Sequence, residues 1–418
     1  MPQAIPASVG QARLIIIGAS MMLMIGIGIR QSFGLFLTPM TQDIGITASD
    51  YTLAFAIQNI AWGISQALIG ALADRFGLRI VMMVGVAIFG GGLAIMASAQ
   101  GALALIVSGG LIGVALSCTT TSLTMSAVIR AVPENRRSRM LGLTSALGSI
   151  GMFSVPLAAQ GLLSVATWQT GLWFFVLMAV VMLPAAFLAG SADKIPVHVT
   201  HATSMRQVLG QAMRNSQFLV LSGAYFVCGL NLVFLTVHLP SYLALCGQDP
   251  MLGAAALAVI GGVSAVGSLV TGWLGDKYPR HILLGLLYIL RSLMMATYFM
   301  LPPSPTSTLL FAAVMGLLWW PGLAPLIGGL VAQIFGTRYM ATLLGISFVV
   351  HQAGSSLGAY GGGLMFDLFG SYDRAWQIGT LIGLTAGLVQ IAFGGPPRKK
   401  DESKVMHDER IVPAGASA

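Results

Sequence analysis

The stretch Gly70-Ala71-Leu72-Ala73-Asp74-Arg75-Phe76-Gly77-Leu78-Arg79 sets an acid and two arginines between long apolar runs. A weaker copy, Gly272-Trp273-Leu274-Gly275-Asp276-Lys277-Tyr278-Pro279-Arg280, follows in the second half of the chain. Asp74 and Asp276 stand 202 residues apart. Leu141-Gly142-Leu143 returns as Leu344-Gly345-Ile346 at an offset of 203, so two separate features repeat at nearly one spacing. A repeat of this length predicts two related halves, an arrangement suited to rocking about a central site.

Apolar stretches run outward from these loops at 13–38, 50–71, 80–98, 103–129, 140–164, 171–190, 218–243, 252–273, 282–301, 308–333, 341–363 and 376–394. Each has about the length that a helix needs to cross a bilayer. Of 418 residues, 56% are hydrophobic and 8% charged, and the mean hydropathy is +0.85. A water-soluble domain carries about 25% charged residues, so a soluble globular enzyme is excluded. The predicted fold is an all-α membrane protein with twelve transmembrane helices in two pseudo-symmetric six-helix bundles. Residues 1–12 form a cytoplasmic N-terminus, 13–190 and 218–394 the bundles, 191–217 a cytoplasmic linker with Pro196, His198, His201 and Arg206, and 395–418 a charged, disordered cytoplasmic tail.

Orientation follows from charge. With both termini inside, 18 of the 21 Lys and Arg residues fall in inner segments or at their edges, as the positive-inside rule requires, and Arg374 falls in an outer loop. The net charge of +8 is thereby explained without nucleic acid. The first apolar run lacks a small-residue cleavage site and reads as a retained helix, not a signal peptide. Cys118, Cys228 and Cys246 have no spacing that suggests a disulfide frame or metal site. No G-x-x-x-x-G-K-[ST] loop is present, so no nucleotide or other cofactor is expected.

The Gly70–Arg79 stretch and its second copy resemble the signature loop of the major facilitator superfamily, and the twelve spans and long central connection extend that resemblance over nearly the whole chain. It implies that the loop gates the cytoplasmic face, with Asp74 set at a helix N-terminus or against an arginine of a neighbouring helix, and with Arg75, Arg79 and Asp276 as further gating candidates. Leu78 replaces the basic residue common there, and Pro279 replaces the glycine in the second copy. Within the superfamily, Gly26-Ile27-Gly28-Ile29-Arg30-Gln31-Ser32-Phe33-Gly34 resembles a first-helix segment of monocarboxylate transporters. His238-Leu239-Pro240-Ser241-Tyr242 and His351-Gln352-Ala353-Gly354 resemble bacterial members of that group and the related oxalate/formate exchangers. The eighth span lacks the Asp and Arg of monocarboxylate transporters, and His351 stands where the oxalate exchanger has lysine.

The thirteen acidic residues all fall outside the middle of the spans, whereas Arg30 and Arg291 fall within spans 1 and 9. An unpaired charge at mid-helix costs about 2.5–3.5 kcal/mol even on the permissive insertion scale. The economical resolution is an anionic cargo that supplies the missing charge, held by Arg30 through parallel hydrogen bonds; the bland reading is that Arg30 snorkels to the surface. The resemblance implies that spans 1, 4, 7 and 10 line the cavity, which favours Arg30 and gives Arg291 a supporting position. Titration near neutral pH falls to His238 and His351, histidine's ordinary value being about 6.5, although a lone histidine on an apolar helix is as often a packing residue. Asn231, His238 and Tyr242 share a helical face. Gln58, Asn59, Trp62, Gln352 and Ser355 are further polar candidates for the cavity.

These readings converge on a secondary active transporter of the bacterial inner membrane, working as a monomer, that moves a small organic anion, a monocarboxylate, by proton symport. An efflux pump or anion exchanger of the same fold and a non-transporting membrane sensor are the alternatives. A membrane-embedded enzyme finds no paired carboxylates, Ser/His/Asp set or metal cluster at membrane depth.

Overall fold

The computed structural model describes residues 9–195, 210, 212–335 and 340–395, all helical or in short turns. The linker residues His198, His201 and Arg206, together with Arg338 and the tail from Pro396, lie outside the described residues. The helices are α1 (Val9–Ser32), α2 (Leu37–Ile44), α3 (Ala48–Phe76), α4 (Leu78–Ala97), α5 (Ala102–Thr119), α6 (Thr121–Ala131), α7 (Glu134–Leu163) and α8 (Trp168–Ala189) in the first half of the chain. In the second half they are α9 (Ser216–Leu245), α10 (Pro250–Lys277), α11 (Arg280–Phe299), α12 (Pro305–Leu317), α13 (Trp320–Phe335), α14 (Met340–Phe369) and α15 (Asp373–Phe393).

Among the described residues, ten helical runs are long and apolar enough to cross a membrane. Two of them are interrupted: a 3-10 turn at Phe33–Phe36 joins α1 to α2 within Val9–Ile44, and Thr120 in extended conformation joins α5 to α6 within Ala102–Ala131. The predicted stretch 308–333 is instead two shorter helices, because the chain leaves helical geometry at Leu318. The stretch 341–363 lies inside α14, whose centre is diluted by Ser347, His351, Gln352, Ser355 and Ser356. Helix α1 begins before residue 13, and Gly190–Lys194 continues α8 as a 3-10 turn into the predicted linker.

Local chemistry fixes the ends. Thr47 and Asp50 form a reciprocal capping box at the start of α3, and Gly45 closes α2 with φ 73°, the left-handed conformation that glycine adopts without a Cβ clash. Two seams join the halves of the chain, α3 against α14 and α7 against α10. Small residues set their spacing: a Cβ on Gly261 of α10 would collide with Met152 of α7. The helix ends fall into two groups, the Asp74 end, where α3 and α10 finish, and the opposite end, where α2 and α9 finish.

Candidate functional site

Arg30 sits well inside the Val9–Ile44 run and is half-buried. Its place is set by glycines: α1 lies so close to α7 that a Cβ on Gly151 would collide with the Met24 carbonyl, which leaves the Arg30 side of α1 turned toward α3. There Arg30 Nη2 donates to Asn59 Oδ1 at 3.0 Å. Asn59 is itself oriented, since its Nδ2 donates to the Phe55 carbonyl at 2.8 Å and so aims Oδ1 at the guanidinium. The Trp62 ring lies 5.1 Å from Arg30 Cζ, in cation–π range. Arg30 Nε has no acceptor among the described residues. Among the described residues no carboxylate lies within ion-pair distance of Arg30 or Arg291. Asn59 therefore steadies one edge of a charged fork whose Nε has no acceptor among the described residues.

The same cluster crosses to the second half of the chain. Trp62 meets Phe348 of α14 edge-on at 5.3 Å, Phe348 stacks on His351 at 6.0 Å, and His351 lies 4.4 Å from the Tyr225 ring of α9. His351 Nδ1 and Gln352 Oε1 are 3.2 Å apart, Gln352 Nε2 has no partner among the described residues, and Gln352 packs where a Cβ on Gly63 would press on it. Arg30, Gln352 and His351 are thus gathered about the α3–α14 seam. Gln58 is buried on α3, at a point where the backbone abuts Gly113 of α5.

His238 turns elsewhere. It is fully buried, with Nε2 2.9 Å from the Ala359 carbonyl and Nδ1 3.3 Å from the Tyr372 hydroxyl, so both ring nitrogens have partners in its own half. Burial, and then the charge of Asp367, push the Tyr372 phenol up, so it stays a neutral hydroxyl. Asn231 points at Gly379 and Gly383 of α15, beside Ser292 of α11. Tyr242 packs against Phe299 at 4.9 Å and Trp376 at 6.0 Å. The face that Asn231, His238 and Tyr242 share is directed at α11, α14 and α15, away from the Arg30 cluster.

Arg291 is buried within the second half. Its Nη1 donates to Cys228 Sγ at 3.4 Å and its Nη2 to the Leu318 carbonyl. That carbonyl lies at the C-terminal cap of α12, where the helix stops and its last carbonyls lose their partners. Arg291 fills a vacancy made by the break between α12 and α13.

At the loops, Asp74 pairs with Arg130 of α6 at 3.2 Å, and Arg130 also approaches Asp193 at 3.8 Å. Asp193 accepts the backbone N–H groups of Leu78 at 2.7 Å and Arg79 at 2.9 Å, which places a carboxylate on the N-terminus of α4. Arg75 lies over Phe76 at 5.2 Å and Arg79 over Phe187 at 4.2 Å. In the second copy Asp276 reaches Arg280, one turn along, at 3.9 Å. Asp193 and Arg130 were not singled out from sequence. The repeat offset carried a signal, because 203 positions beyond Arg130 stands Gln333, so the second copy lacks that cation.

The family model of the Major Facilitator Superfamily matches residues 14–359. An uncharacterized MFS-type transporter, YcxA of Bacillus subtilis, is 26% identical over 89% of this chain and 93% of its own. Monocarboxylate transporter 13 of Bos taurus is 25% identical over 90% of this chain and 88% of its own. The oxalate:formate antiporter of Oxalobacter formigenes is 24% identical over 94% of this chain and 96% of its own.

Proposed function

From the premise that the chain belongs to the Major Facilitator Superfamily, we propose that it is a secondary active transporter of a small organic anion, a monocarboxylate, which it carries by proton symport through alternating access. The twelve spans form two six-helix bundles, with both termini and the Asp74 end on the cytoplasmic side of a bacterial inner membrane. One observation carries the cargo class: Arg30 is a charged group deep in an apolar helix, with a free donor and, among the described residues, no carboxylate in ion-pair range. An anion that supplies the acceptor removes the cost of that charge. Gln352 and His351 border the same space from α14, and His351 is the histidine placed to sense the cargo's charge. Arg291, His238, Asn231 and Tyr242 hold the second half together, and the Asp74–Arg130 pair gates the cytoplasmic face. The chemistry is binding and translocation, with no bond made or broken.

Uptake of labelled lactate, pyruvate, formate and oxalate into proteoliposomes, with and without an imposed pH gradient, tests this reading. Accumulation of a monocarboxylate driven by the gradient is the expected result. Uptake that requires a preloaded counter-anion and ignores the gradient replaces symport by exchange, a reading that the antiporter relative favours. No uptake of any acid under either condition overturns the anion assignment.

A further inference from the structure

We propose that Asp367 is a latch: from the last turn of α14 its carboxylate holds the N-terminus of α3, in the opposite half of the chain, and it releases each time the pathway opens at that end. This rests on the alternating-access reading above. The first four backbone N–H groups of a helix have no partner within the helix, and in α3 each can be traced. Asp367 Oδ1 accepts from Ala48 N at 3.2 Å and Oδ2 from Ser49 N at 2.8 Å. Asp50 N donates to Thr47 Oγ1 at 3.1 Å, and Thr47 N donates to Asp50 Oδ2 at 3.2 Å. Half of the cap is local, and half is supplied from more than 300 positions away. A carboxylate there also meets the positive end of the helix dipole.

The surroundings bring the two halves within reach. Gly363, one turn before Asp367, lies so close to α3 that a Cβ would collide with Thr52 Oγ1, and Gly34 in the 3-10 turn touches the backbone of α9 at Thr236 and Val237. Thr38 and Ser241 share a hydrogen bond of 3.1 Å across the same end. Beside it lies a cleft of about 480 Å³, lined by Thr38, Gln42, Asp43, Gln160, Ser241 and Pro250 among others. At the Asp74 end, by contrast, Asp74, Arg130 and Asp193 pair within the first half, and Asp276 pairs with Arg280 within the second. The latch is made to part. Asp367 is exposed and Ser49 half-buried, so water replaces either partner as the seam opens, and the net loss on exchanging a hydrogen bond for water is small beside the cost of leaving its groups unpaired. The buried bond from Ser356 Oγ to the Ala56 carbonyl, deeper in the same seam, has no such substitute at hand.

The test needs no cargo, so its failure is distinct from a failure of the transport reading. Thr52 is fully buried beneath the latch. In a Cys246→Ser background, which removes the exposed thiol, a Thr52→Cys probe is labelled with a maleimide in proteoliposomes. Asp367→Ala is expected to raise the labelling rate about fivefold, the population shift that loss of a helix-capping acceptor gives. An unchanged rate in folded protein overturns the proposal. Should Asp367→Ala fail to fold, the isosteric Asp367→Asn decides: hydrogen exchange across residues 47–52 quickens if the carboxylate holds α3, and its equality with the parent protein overturns the latch.

Discussion

Arg30 and Arg291 are the same side chain placed within apolar helices, yet their surroundings give them opposite work. Arg291 has both terminal nitrogens engaged within its own half, Nη2 by the Leu318 carbonyl and Nη1 by Cys228 Sγ, although its Nε, like that of Arg30, has no acceptor among the described residues; that charge serves a broken helix. Arg30 has one donor steadied by Asn59 and, among the described residues, its Nε free, beside the seam where the two halves of the chain meet. The difference teaches that a charge within the membrane is not by itself a binding site. What separates the two arginines is where the terminal nitrogens are spent: both of Arg291's within its own half, and one of Arg30's on Asn59 beside the seam. The loop copies make the same point in reverse, since Asp74 is held by a second helix and Asp276 by a neighbour on its own turn.

Substitutions can break or sharpen this contrast. The largest effect is expected from Arg30→Gln, which removes two charge-assisted bonds to cargo and lowers uptake about a hundredfold or more while leaving the melting temperature unchanged; near-normal uptake removes the clamp. Arg291→Met should do the converse. It strands the half-buried Leu318 carbonyl, at up to about 1–3 kcal/mol, so thermal unfolding shifts down by a few degrees while apparent affinity per folded molecule holds. Asn59→Ala frees the Arg30 fork without discharging it, and is expected to weaken apparent affinity about threefold to tenfold in the same uptake assay. Asp74→Asn should slow turnover about twofold to fivefold, the scale of an ion pair whose acid is largely exposed, and Asp276→Asn should leave turnover within about a factor of two. Equal effects in the two loops would mean that Arg130 and Asp193 add nothing to the first.

Much of this was legible in the sequence because it is written in spacing and composition. Helical membrane character, the repeat between Asp74 and Asp276, and the exceptional standing of Arg30 and Arg291 follow from counting apolar runs and charges. The partition between the arginines was harder to read, because it depends on where α12 stops: Pro321-Gly322 signals a break in the run from Pro305 to Phe335, but not that Leu318 will take its donor from α11. His238 and His351 looked equivalent as lone histidines on polar-flecked helices. Only packing shows one gripped by Ala359 and Tyr372 and the other stacked beside Phe348. Asp193 and Asp367 escaped notice for a shared reason: each acts on backbone N–H groups of a helix distant in sequence, a partner that carries no side-chain signature.

The capping of α3 by Asp367 bears on how the chain is made. Ala48 and Ser49 leave the ribosome more than 300 residues before the acid that completes their bonding, an interval of about 15–60 s at ordinary rates of synthesis. During that time the nascent first half keeps an unfinished helix start, which water or a lipid phosphate must serve. Assembly of the early helices is thus sealed by one of the last to be inserted.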